Sequence, residues 1–144
     1  MNEWQRNFLH KLESAKKQWL HKFEEFAADF VEPAFLAFEE FAAGNGFRVT
    51  QQPCEPGHRI YKFALTENGY LLLTFRMRGL EEVEVRSELF MPGLGGMEPS
   101  TSYNGLCEAG EAWVEAQFQN NLDRFITHFG EAGAANRTDE LVSA

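Results

Sequence analysis

From Trp4 to Phe30 the apolar positions fall at 4, 8, 12, 15, 19, 23, 26 and 30. Steps of three and four keep these side chains on one face of an amphipathic helix. Pro33 interrupts the series. It lacks an N–H and its ring crowds the preceding turn, so a helix over 1–32 is expected to kink or break near it. Proline is equally at home in a first helical turn, which predicts a second helix over 33–44 carrying Phe35, Leu36, Phe38 and Phe41. Gly44, Asn45 and Gly46 tolerate positive φ and close that helix.

The six residues FEEFAA occur at 23–28 and again at 38–43. A shift of fifteen residues turns a straight α-helix by about 60°. The copies therefore diverge on a single rod, but each can sit on its own segment if the chain breaks at Pro33. Phe at i and i+3 with Ala at i+4 makes a compact apolar face. The repeat is read as one helical solution reached twice rather than as a duplicated binding element.

Over 47–91 the period changes to two. Phe47 and Val49 share a face, as do Tyr61, Phe63 and Leu65, then Leu71, Leu73, Phe75 and Met77, then Val83, Val85 and Leu89. This predicts a four-stranded antiparallel meander with one buried side. A three-residue turn at Glu67-Asn68-Gly69, with Gly69 left-handed, sets Leu65 opposite Leu71 and Phe63 opposite Leu73. A similar turn at Gly79-Leu80-Glu81 sets Arg78 opposite Glu82 and Arg76 opposite Glu84. Residues 92–107 are rich in Gly and Pro and read as a loop, part of it ordered or functional because of its length. Trp113, Val114, Phe118, Leu122, Phe125, Ile126 and Phe129 recur at helical spacing and predict a C-terminal helix over 108–130, stopped by Gly130. Residues 131–144 read as a flexible tail. The expectation is one α+β domain over 1–130, with a long N-terminal helix, a second helix, a β-meander and a C-terminal helix packed on one sheet face.

Composition alters this picture in two respects. With 14 Phe and 3 Trp, the core is built from large rings. The net charge of −9 is unevenly spread. Residues 1–22 hold Arg6, Lys11, Lys16, Lys17 and Lys22 against Glu3 and Glu13, net +3, and the remainder carries net −12. An acidic body gains nothing from counterion release, which argues against nucleic acid as a partner. No stretch approaches the ~20 apolar residues that span a bilayer. No secretory leader is recognisable, which leads to the expectation of a reducing cytoplasm and free thiols at Cys54 and Cys107, and of an idle sequon at Asn136.

Candidate chemistry is sparse. Cys54 and His58 lie near each other, but Cys107 and His128 are distant and no second ligand pair accompanies them, so no metal is expected. Ser87 has no surrounding nucleophile motif, and no catalytic residue is assigned. Gly93-Leu94-Gly95-Gly96 lacks the spacing of a phosphate-binding loop, and no cofactor is expected. The adjacent glutamates of the helices diverge by ~100°, which describes solvated faces rather than acid/base pairs.

The first helix is the strongest lead. Its apolar edge (Trp4, Phe8, Leu12, Trp19, Phe23) exceeds what a compact domain needs, and its polar side is basic. That edge can pack on its own core, on a second copy or another protein, or on an anionic membrane surface. A patch on the outer sheet face (Ile60, Tyr70, Leu72) is a second contact candidate. The sequence thus leads to the expectation of a non-catalytic, acidic protein–protein interaction module that forms a homodimer, of an adaptor, chaperone-like or immunity-like kind. In size, charge and class it is similar to bacterial secretion chaperones. Their helices, however, interleave with strands, whereas here the strands form one block, and membership is not inferred. The alternative is a small-molecule or lipid-binding domain with a pocket between sheet and helices lined by Phe63, Phe75 and Phe118.

Overall fold

In the computed structural model, backbone structure is described for residues 1–143 and side chains for residues 1–134. The chain is α+β. Helix α1 (Glu3–Phe26) passes through a π-helical turn (Ala27–Val31) into α2 (Glu32–Ala43). Strands β1 (Arg48–Gln51), β2 (His58–Ala64), β3 (Tyr70–Arg78), β4 (Glu82–Met91), β5 (Gly95–Gly96) and β6 (Ser100–Gly105) form one antiparallel sheet, and α3 (Glu111–Ser143) packs on it.

Asn2 starts α1 with a capping box. Its Oδ1 accepts from the Gln5 N–H at 2.8 Å, and its own N–H donates to Gln5 Oε1 at 3.1 Å. The break expected near Pro33 takes the form of the π turn. An α-helix would aim the missing Pro33 donor at the Asp29 carbonyl and drive the ring into it. Widening the preceding turn, with the Glu32 N–H donating to the Ala27 carbonyl, relieves that clash while the backbone stays helical on both sides. The two FEEFAA copies then diverge. Phe23, Phe26 and Ala27 are buried, whereas Phe38 is half-buried, Ala42 buried and Phe41 exposed.

The four expected strands are present as a meander in the order β1-β2-β3-β4. The turn at Gly79 gives the expected register, with Arg78 opposite Glu82 and Arg76 opposite Glu84, and Gly79 adopts φ +61°. The β2–β3 register requires correction. Ala64 faces Tyr70, Phe63 faces Leu71 and Tyr61 faces Leu73, so the turn is five residues long. Gly69 is not left-handed there. It is buried where the Phe129 ring presses on the turn, and a Cβ at that position would lie 2.6 Å from Phe129 Cε2. A two-residue shift preserves sidedness, so the inner face is unchanged.

The 92–107 segment is not a loop throughout. After the turn at Gly93, β5 pairs with Phe90 and Met91, and β6 pairs with Glu82–Ser87 along the same edge of β4. The register slips by one residue between Gly96 and Ser100, as at a β-bulge. Helix α3 begins at Glu111 and continues past Gly130 to Ser143. The segment 131–144, read from the sequence as a flexible tail, is thus helical through Ser143, and residue 144 lies outside the described residues. A single glycine in a helix interior costs only about 1 kcal/mol relative to alanine, so Gly130 need not end it.

The core lies between the inner sheet face (Tyr61, Phe63, Leu71, Leu73, Phe75, Val83, Val85, Leu89) and the inward faces of the end of α1, the π turn, α2 and α3. Of α1 only its C-terminal part joins it, with Phe23 and Phe26 buried and Trp19 packed at the edge.

Candidate protein interface

The apolar edge of α1 divides into two parts. Phe23 is fully buried, which removes it from the interface candidates and assigns it to the core. Trp19 and Leu12 are half-buried. Trp4 and Phe8 are 68% and 50% exposed, with their rings stacked 5.3 Å apart. Leu9, which the apolar series omits, is exposed beside them. All these positions except Leu9 lie on the helical stripe that is buried at Phe23 and Phe26. The stripe does not change its chemistry along the helix; the body beneath it ends.

The body ends near Trp19. Together with Glu81, Glu82, Gly105, Leu106, Cys107 and Glu108, this ring lines a groove of about 300 Å³. Leu106 is buried on its floor, and the three carboxylates make its rim acidic. Lys22 Nζ lies 5.3 Å from the centroid of the Trp19 ring. Leu20 and Met77 approach Gly57 nearby and seat the base of the arm on the sheet end.

The outer sheet patch has a different character. Ile60, Tyr70 and Leu72 are half-buried on the solvent face. Tyr70 stacks on its cross-strand partner Phe90 at 4.5 Å, and Lys62 Nζ lies 4.2 Å from the Tyr70 ring. At the other end of this face Arg78 covers Tyr103 at 3.9 Å, and Arg76 pairs with the buried Glu84. Its rings are engaged by neighbours on the same face, unlike Trp4 and Phe8, which stack only on each other and stand in water.

Phe63, Phe75 and Phe118, expected to line a ligand pocket, are fully buried in ring-to-ring contact. The Phe118 centroid lies 5.5 Å from Phe75 and 6.2 Å from Phe63, with Phe38 stacked on it at 5.1 Å. The space between sheet and helices at this point is filled by aromatic packing. A smaller apolar depression of about 180 Å³ lies instead between α2 and α3, lined by Phe41, Phe47, Leu122 and Ile126. Phe41, expected on the core side, is 70% exposed there.

Arg59, Glu84, Ser87 and Asn121 are buried polar side chains. Arg59, on the inner face of β2, is 7% exposed. Its guanidinium donates to Glu24 at 2.8 Å, to Glu32 at 3.3 Å, and to the carbonyls of Glu55 and His58 at 2.9 and 2.8 Å. Burial alone would lower its pKa; Glu24 and Glu32 outweigh that and raise it. The group clamps the end of α1 and the start of α2 to the loop before β2. Tyr61 is wholly buried with its hydroxyl unpartnered, and burial together with Glu32 raises its pKa. The Ser87 hydroxyl is likewise buried without a partner. Both cysteines are exposed, Cys54 accepting from Gln51 Nε2 at 3.3 Å. Among the described residues no three His, Cys, Asp or Glu side chains converge as a metal site, and no helix is long and apolar enough to cross a membrane. Gly93 lies in the turn between β4 and β5, and Gly95 and Gly96 are β5 itself.

Comparison of the chain with protein-family models, with curated proteins and with solved structures yields no match.

Proposed function

We propose that this chain is a non-catalytic protein-interaction module that pairs with a second copy of itself through α1. The observation that supports this most is the continuation of the buried apolar stripe of α1 beyond the body, with Trp4 and Phe8 exposed on it. Residues 3–20 form an arm roughly 27 Å long. A helix of that length with few tertiary contacts is only marginally stable in water, so packing of the stripe is what would hold it. Burying an aromatic ring contributes about 2 kcal/mol.

The test is the solution mass by light scattering at tens of micromolar. The wild type is expected at twice the chain mass. Each substitution occurs twice in a symmetric pair, so Trp4→Ala is expected to weaken association by roughly three orders of magnitude and to give monomer. Phe8→Ala acts in the same direction, while circular dichroism retains the sheet. A wild type that is monomeric at this concentration, or a dimer indifferent to both substitutions, overturns the proposal.

A further inference from the structure

Resting on the self-association reading, we infer that the two arms lie antiparallel, centred on Leu12, and that the first turns of each arm cover the acidic groove beside Trp19 of the other copy.

The register follows from the order of side chains along the stripe. Trp4, Phe8, Leu12, Ala15 and Trp19 are spaced 4, 4, 3 and 4. Reversed about Leu12, this series sets Trp4 opposite Trp19, Phe8 opposite Ala15, and Leu12 near its own copy. The large Phe8 ring thus meets the small Ala15, the alternation that lets two helices approach closely. A parallel pairing would oppose each residue to itself, Trp to Trp and Phe to Phe, with Ala15 facing Ala15 across a gap.

The environment of Trp19 fits the same register. This ring is half-buried by its own body and leaves a groove of about 300 Å³ beside Leu106 and Cys107, with Glu81, Glu82 and Glu108 around it. The first turns of the arm that would cover it hold Trp4 with Glu3 and Arg6. Antiparallel pairing carries the exposed Trp4 of the partner to this apolar floor, with Arg6 as the cation that reaches its rim. The groove is complete only when a second copy is present.

Cys107, exposed on the groove, provides a reporter. In a Cys54→Ser background, a cysteine at Gln5 lies about 21 Å along the helix from Trp19 of its own chain, beyond the reach of a short bismaleimide. In the antiparallel register it approaches Cys107 of the partner. Cross-linking of the Gln5→Cys protein is expected to give a covalent dimer in high yield, with peptide mapping locating the link between positions 5 and 107. That dimer is expected to disappear in the Cys107→Ala variant. Links between two position-5 cysteines that persist without Cys107 would mean parallel arms and overturn the inference. A dimer by light scattering that does not cross-link also overturns it, while leaving self-association intact. A monomer by light scattering overturns the underlying reading, and the inference with it.

Discussion

At the scale of single residues, stability and recognition are separable. Arg59 makes four hydrogen bonds, two to carboxylates 35 and 27 residues away and two to backbone carbonyls just before it in the chain. Arg59→Ala would leave Glu24 and Glu32 as neighbouring carboxylates without their shared cation and take the guanidinium donor from the His58 carbonyl; a loss of about 3 kcal/mol is expected in urea unfolding. Arg59→Lys recovers only part of it, since a point donor cannot span the same fork of acceptors. Tyr61 gives the opposite result. Its hydroxyl has no partner, so Tyr61→Phe is expected to raise stability at neutral pH by about 1 kcal/mol. The sign at alkaline pH follows from its raised pKa. Above the ordinary tyrosine value near 10, the unfolded chain has released this proton while the native chain retains it. The unfolded state then binds fewer protons, and stability falls as pH rises. Tyr61→Phe removes that contribution, so its advantage over wild type should widen above about pH 10 in pH-dependent thermal melts. The period-two pattern identified the inner-face company of Tyr61. It carried no sign of Arg59's carboxylates, because pairs separated by 35 and 27 residues leave no local signature.

At the scale of elements, the strongly periodic segments were legible and the exceptions have physical causes. The register at Gly79 could be derived because a two-residue loop would set Met77 against Glu82 and mix the two faces, whereas the three-residue turn keeps Arg78 opposite Glu82 and Arg76 opposite Glu84. The register at Gly69 could not, because a two-residue shift keeps every side chain on the same face and a five-residue turn competes with a three-residue one. Strand β6 (Ser100–Gly105) was invisible, being polar on both sides: Ser102 faces inward and is satisfied by Gln117 on α3 at 2.8 Å rather than by apolar packing. The extension of α3 beyond Gly130 was missed because glycine only weakly opposes a helix. Gly69 now has a role that no turn rule requires, which is to admit the Phe129 ring. Its φ is unexceptional, so Gly69→Ala acts by steric overlap alone and is expected to cost about 2 kcal/mol. Phe129→Leu combined with Gly69→Ala should restore part of that loss, a coupling measurable by a double-mutant cycle.

At the scale of the whole molecule, the segregation of rings from charge was readable from the start, and it accounts for both the core and the exposed arm. What could not be read was where the body would stop beneath α1, since that depends on how far the sheet extends beneath the helix. The stop near Trp19 turns one uniform stripe into a buried end and an exposed end. The account rests most on the arm being covered by a second copy, and amide hydrogen exchange over residues 3–20 as a function of protein concentration reports that directly. Protection of these amides is expected to increase on going from sub-micromolar to tens of micromolar protein, while protection of β3 and β4 stays constant. Exchange of the arm that is fast and unchanged across that range would contradict the account.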